Sequence, residues 1–154
     1  MTQLQAESAH ALAARDIVSV RRFDLPRERI FAAFADPARL ARWWGPSGFR
    51  NTFHEFDFRP GGHWRFTMHG PDGVDYPNHS VFAVIDAPAR IVLDHRSGPR
   101  FEMTMSLDEE GAQTRLTWHM RFETAEMRDA VARFAVQANE QNFDRLQADL
   151  ATID

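Results

Sequence analysis

Seven histidines, His10, His54, His63, His69, His79, His95 and His119, are the side chains of this sequence best suited to moving a proton near neutral pH. A free imidazole titrates near about 6.5, so it can serve as general base or general acid, and in its neutral form it can ligate a metal. Spacing argues against the metal. No His-x-His pair and no helical His-x3-His pair occurs, and His54-Glu55 has no second histidine four residues after the first. No metal is therefore expected. The chain has no cysteine, so thiolate nucleophiles and disulfides are absent, and all eighteen basic residues are Arg, which removes Schiff-base chemistry and a lysine base. No phosphate loop, dinucleotide fingerprint or nucleophile elbow is present, so no cofactor is expected either. What remains is acid–base work by a histidine held over a substrate, such as assisting an aldol closure or a dehydration.

The elements that must hold such a histidine are mostly strands. Asp16 to Phe23 alternates Val18 and Val20 against Ser19 and Arg21 and reads as a first strand. Six more are expected, at about Phe49 to Phe58, His63 to His69, Ser80 to Ile85, Ile91 to Arg96, Phe101 to Leu107 and Thr114 to Phe122. The turn signals between them, such as Gly61-Gly62 and Pro71-Asp72-Gly73, mark an antiparallel meander. Gly70 to His79, the longest gap, reads as a loop carrying Tyr76. Period-two alternation places Trp64, Phe66 and Met68 on one dry face, continued by Phe101, Met103 and Met105 and by Trp118 and Met120. His63, His69 and His119 fall on the wet face, whereas His54, in parity with Phe56 and Phe58, and His95, in parity with Ile91 and Leu93, fall on the dry one. His54 and His95 are accordingly the candidate catalytic residues.

Between the first two strands lie two short helices. Pro26 opens the first, with Asp24 or Leu25 as its cap, and Asp36-Pro37 restarts the chain as a second that ends at Trp43-Trp44-Gly45-Pro46. Neighbouring helical positions stand about 100° apart, so one tryptophan enters a core while the other borders a cavity mouth. The last element, Thr124 to about Leu150, is a long helix with an apolar stripe of Met127, Val131, Phe134, Ala138, Leu146 and Leu150. Its inward positions turn polar around Asn139, Gln141 and Asn142. In a filled core each unpaired amide costs roughly 1–3 kcal/mol, so this stretch is expected to face a wet pocket. The expected ligand wall is Trp43, Trp44, Phe56, Trp64, Phe66, Met68, Met103, Met105, Trp118, Met120, Phe134 and Ala138. Its polar groups are His54, His95, Tyr76, Gln141 and Asn142.

With 154 residues, 44% of them hydrophobic, the chain fits one domain, residues 16–154, preceded by an N-terminal appendage, residues 1–15. Thirteen Phe and four Trp against one Tyr either line a pocket or simply fill an aromatic core. A net charge of −4 without a basic run argues against nucleic acid as a partner. No apolar stretch approaches a membrane span, the first residues lack the pattern of a signal peptide, and a cytoplasmic location is expected.

Strand, two short helices, six-stranded meander and long C-terminal helix is the order of the helix-grip fold. Phe23-Asp24-Leu25-Pro26, Asp36-Pro37, Trp43-Trp44-Gly45-Pro46, Asp57-Phe58-Arg59-Pro60-Gly61-Gly62 and Gly70-Pro71-Asp72-Gly73 resemble the START-like (SRPBCC) superfamily. Within it, the chain is most similar to the family named after the activator of heat-shock protein 90 ATPase homologues. The resemblance implies an α+β domain in which a curved antiparallel sheet of about seven strands wraps the last helix around a hydrophobic cavity. It implies as ligand a small apolar molecule, lipid, polyketide or aromatic-like. Where relatives often carry Gly-Trp in the last helix, this chain has Ala138-Asn139, which implies a larger or more polar cavity. Binding of such a molecule is the leading expectation. A cyclase, dehydratase or hydrolase using His54 or His95 is the alternative, and a chaperone-interacting module is the third reading. A homodimer through strand edges or an outer apolar patch is a further expectation.

Overall fold

The computed structural model describes residues 14–152, so residues 1–13 of the expected appendage lie outside the described residues. Seven strands form one antiparallel sheet: β1 (Asp16–Phe23), β2 (Arg50–Phe56), β3 (His63–His69), β4 (Asp75–Asp86), β5 (Arg90–His95), β6 (Phe101–Glu110) and β7 (Gln113–Phe122). Their order is β1-β7-β6-β5-β4-β3-β2, so the meander β2 to β7 is closed by β1 pairing with β7. The helices are α1 (Arg27–Ala35), α2 (Pro37–Trp43) and α3 (Ala125–Ala151). This is the helix-grip arrangement, with the long α3 lying on the inner face of the curved sheet.

Local chemistry explains where the helices begin and end. Pro26 stands at the N-cap of α1, and its carbonyl accepts from Arg29 N at 3.1 Å in place of the expected side-chain cap. Asp36 caps α2, accepting from Ala38 N at 3.0 Å, with Pro37 preset for the first turn. Thr124 caps α3 by accepting from Met127 N. Gly45, at φ 98°, lets the chain leave α2, and a Cβ there would meet Met68 Cε at 2.7 Å.

Three strand readings change. β2 carries a bulge between Phe53 and Glu55, where the register to β3 shifts by one. The bulge turns Phe53 and Phe56 inward together and leaves His54 outside, against the simple alternation that placed it on the dry face. β4 begins at Asp75, so Tyr76 is in a strand, not a loop. Residues 75–79 pair with β3 alone, which is why Pro77 is tolerated there. On β1 the inner residues are Ile17, Ser19 and Phe23, and Val18 is 57% exposed. Ser19 and Arg21 face inward because α3 supplies their partners: Asn139 Nδ2 donates to Ser19 Oγ at 3.1 Å, and Arg21 reaches Glu140 and Asp144.

One cross-strand row runs along the inner face of the sheet. Phe56, Trp64, Ser80, His95, Phe101 and Phe122 stand opposite one another on β2, β3, β4, β5, β6 and β7. Ser80 is small between two large rings, so the row has a gap at its middle.

Candidate functional site

That gap belongs to a cavity of about 270 Å³ between the sheet and residues 131–142 of α3. β3 contributes Trp64, Phe66 and Met68, β5 contributes Leu93 and His95, and β6 and β7 contribute Phe101, Met103, Trp118 and Met120. α3 closes the far side with Val131, Phe134, Ala138, Asn139 and Asn142. The loop after α2 adds Trp44, Gly45 and Pro46. Among the described residues, no Arg, Asp or Glu lines it.

The two neighbouring tryptophans divide as the helix ends. Trp43, still helical, is 1% exposed and packs edge-on against Phe34 at 4.8 Å, while its Nε1 donates to Ala33 O at 3.2 Å. Trp43 is core and does not reach the cavity. Trp44 has extended backbone, φ −68° and ψ 135°, which swings its ring over the sheet. There it meets Trp64 at 5.1 Å and Trp118 at 5.3 Å between ring centroids.

Of the residues expected in the wall, Trp44, Trp64, Phe66, Met68, His95, Met103, Trp118, Met120, Phe134, Ala138 and Asn142 come together there. Trp43, Phe56, Met105, His54 and Tyr76 do not. Phe56 belongs to a separate aromatic stack with Phe53 and Phe58 at 5.7 and 5.6 Å, because the bulge moves β2 out of register. Met105 is buried opposite Ile91 and Trp118 in the filled core. His54 is exposed on the outer face, its Nε2 at 2.9 Å from Thr67 Oγ1. Tyr76 lines an adjoining outer groove of about 440 Å³, which shares Met68, Asn78, His95 and Pro99 with the cavity. Phe134, 66% exposed, stands at the cavity's rim.

The polar middle of α3 needs no wet pocket. Asn142 Oδ1 accepts from Gly45 N at 3.1 Å, and its Nδ2 donates to Trp43 O at 2.7 Å. Asn139 Nδ2 donates to Ser19 Oγ, and Gln141 Oε1 accepts from Ser47 N at 3.2 Å. Each of these amides has a protein partner, and both polar atoms of Asn142 are bonded, so Asn142 is a tie between α3 and the loop that carries Trp44.

His95 occupies the rim with its ring stacked on Phe101 at 4.4 Å. Nδ1 lies 3.0 Å from Pro99 O and donates to it, while Nε2 lies 2.9 Å from Asn78 Oδ1 and 3.4 Å from Ser97 Oγ. Burial lowers its pKa from the ordinary histidine value, outweighing the hydrogen bond to Pro99, so the neutral ring is favoured. A neutral imidazole at a cavity rim can accept a proton there.

Reading by strand parity alone missed Ser80 and Asn78. Ser80 follows from the inward parity shared with His95, its partner across β4 and β5, but serine carries no apolar signal. Asn78 was hidden by reading Gly70 to His79 as a loop. The structure adds two features that a sequence does not carry: Trp64 Nε1 and Trp118 Nε1 are buried and find no hydrogen-bond partner among the described residues. No group of three or more metal-ligating side chains occurs among the described residues.

A family model described as activator of Hsp90 ATPase homolog 1-like protein matches residues 24–151. Among solved structures, a protein from Arthrobacter aurescens is 27% identical, with a TM-score of 0.82 over 92% of this chain and 88% of that one. A protein from Rhodobacter sphaeroides is 25% identical, with a TM-score of 0.83 over 92% and 95%. An AHSA1 protein from Silicibacter pomeroyi, 23% identical, shares the fold with a TM-score of 0.74 over 90% and 99%. Among curated proteins none matches.

Proposed function

The chain belongs to the family of activator of Hsp90 ATPase homolog 1-like proteins, and on that premise we propose that it binds a small, mostly apolar molecule between its sheet and α3. The observation that carries this is a cavity of about 270 Å³ whose wall is mostly aromatic and aliphatic and, among the described residues, holds no Arg, Asp or Glu. Such a space in a filled core is costly to leave empty, and an engineered apolar cavity of about 150 Å³ already takes up benzene. Native mass spectrometry of the purified protein, with extraction of co-purified molecules and displacement of a fluorescent apolar probe, tests the reading. Probe uptake that Ala138→Phe abolishes supports it. An interior that takes up no probe and carries no molecule sinks it.

Acid–base catalysis at His95 is the second reading, favoured by a half-buried imidazole at the cavity rim with a lowered pKa. Turnover of the extracted ligand, lost in His95→Gln while binding persists, separates catalysis from carriage. The family's description also names the Hsp90 ATPase, so stimulation of that ATPase by this chain is a third activity to assay. A flat response in that assay counts against it.

A further inference from the structure

Resting on the ligand-binding reading above, we infer that the cavity's occupant is an uncharged ring molecule carrying a hydrogen-bond donor, an O–H or N–H group, which it delivers to Nε2 of His95 and Oδ1 of Asn78 at the rim.

Strand register puts both side chains on the cavity's face of the sheet. Trp64 and Phe66 of β3 stand opposite Ser80 and Asn78 of β4, and Ser80 stands opposite His95 of β5, so Asn78 and His95 share the inward parity of the wall. Both are half-buried, and both line the cavity and the adjoining outer groove, so their contact lies where the two spaces meet.

That contact sets two acceptors against each other. Asn78 Nδ2 donates to Tyr76 O at 2.9 Å, which leaves Oδ1 facing His95 Nε2, also 2.9 Å away. The ring's Nδ1 proton goes to Pro99 O at 3.0 Å, so in the neutral ring Nε2 carries a lone pair and no hydrogen. Exchanging the amide's oxygen and nitrogen only moves the conflict, setting Oδ1 against Tyr76 O. An imidazolium would supply the missing hydrogen, but burial holds the ring's pKa below the ordinary histidine value. Ser97 Oγ, 3.4 Å from Nε2, is long for a hydroxyl bond, and Asn78 Oδ1 has no second partner among the described residues. A ligand hydroxyl or N–H about 3 Å from each atom supplies one hydrogen to both as a three-centre bond.

The remaining lining sets charge and size. The chain has no Lys, no Arg lines the cavity or the groove among the described residues, and the groove's carboxylate, Asp75, is taken up by His69 at 2.7 Å. An anionic ligand would meet acceptors and a carboxylate with no cation to pair it, and a cation in the cavity would meet no carboxylate. A volume of about 270 Å³, nearly twice the cavity of about 150 Å³ that takes up benzene, admits a two-ring body.

The test titrates the full-length protein at pH 8, above the ordinary imidazole range, with naphthalene, 2-naphthol and 2-methoxynaphthalene by calorimetry. The methoxy probe keeps the oxygen and lacks the donor. Binding of 2-naphthol about tenfold tighter than either of the others is expected, and His95→Phe and Asn78→Leu should each bring that preference down to about threefold or less. In the imidazole ¹⁵N spectrum of the unaltered protein, the His95 Nε2 resonance should move upfield with 2-naphthol and stay in place with 2-methoxynaphthalene, a readout that does not depend on whether a variant folds. Equal binding of 2-naphthol and 2-methoxynaphthalene, a preference that survives in both variants, or an Nε2 resonance that 2-naphthol does not move overturns the inference and leaves the cavity reading intact. If none of the probes binds, the cavity reading itself fails, and this inference with it.

Discussion

Arg145, on the last helix, donates through Nη1 to the carbonyl oxygen of Trp44 at 3.0 Å, and the same guanidinium bonds the carbonyls of Arg42, Gly45, Pro46 and Phe49. One side chain thus fixes the whole turn that carries the cavity's tryptophan. No carboxylate pairs with it among the described residues, and burial lowers its pKa from the ordinary arginine value.

Replacing Arg145 should therefore unfold more than a local contact. Arg145→Met removes a donor from five carbonyls, of which Trp44 O keeps Asn51 Nδ2 and Pro46 O keeps Phe49 N, and is expected to cost about 3 kcal/mol or more, read as a drop in the urea midpoint. Arg145→Lys should recover little, because a point ammonium does not reproduce the planar fork. A midpoint unchanged in either variant contradicts the role.

Trp43 and Trp44 should separate stability from binding. Trp43→Ala removes a fully buried ring and is expected to cost about 3–5 kcal/mol. Trp44→Ala, at a half-buried position on the cavity wall, should change apolar-probe affinity more than it changes the denaturation midpoint. Equal losses of stability in the two variants would return Trp44 to the core.

Asn142→Ala exposes the Gly45 N–H and Trp43 carbonyl to a lost partner in a buried site. The expected penalty is about 2–3 kcal/mol by equilibrium denaturation. A neutral outcome would mean that water replaces the amide.

Acid should destabilise the fold in a definite window. His95 and His79 both have folded pKa values below the ordinary histidine value, burial being the first cause in each, with Arg65 and other neighbouring positive charge adding at His79. A depressed folded pKa means that the unfolded chain binds the proton first. The stabilisation is thus complete above about 6.5 and lost as the pH falls through the folded values. Thermal melts should drop between pH 7 and pH 5, and His95→Gln should flatten that slope. Asp16 acts lower: burial raises its pKa, but hydrogen bonds from Arg121 and His119 outweigh burial and leave it lowered. Its contribution fades only below the ordinary carboxylate range.

His54→Ala should leave probe affinity unchanged and alter stability by about 0.5 kcal/mol or less, since the ring is on the outer face against Thr67. A clear affinity loss would contradict the bulge in β2.

The order of elements, the antiparallel meander and most of the dry face were readable from the chain, because hydrophobic alternation in Trp64, Phe66 and Met68 or in Trp118 and Met120 is itself the cause of burial. Family membership was readable from the turn and helix-end residues for the same reason. The misplacement of His54 was not avoidable: a bulge adds one residue without a compositional mark, and every side chain beyond it changes face. Tyr76 went astray because proline and glycine around it look like a loop, while only pairing with β3 on one side makes that stretch a strand.

By itself, then, the sequence determined the sheet, the three helices and the aromatic character of the interior, since these follow from periodicity and turn chemistry acting over a few residues. Only the tertiary structure decided which tryptophan faces the cavity, because the last helical residue and the first extended one differ by a backbone rotation that no composition records. It also decided that Asn142 and Gln141 of α3 are ties to the Trp44 loop, and that two indole N–H groups are buried without a partner among the described residues. Those outcomes depend on groups about a hundred residues apart meeting across α3, where hydrogen-bond satisfaction is settled by distance and not by neighbours in the chain.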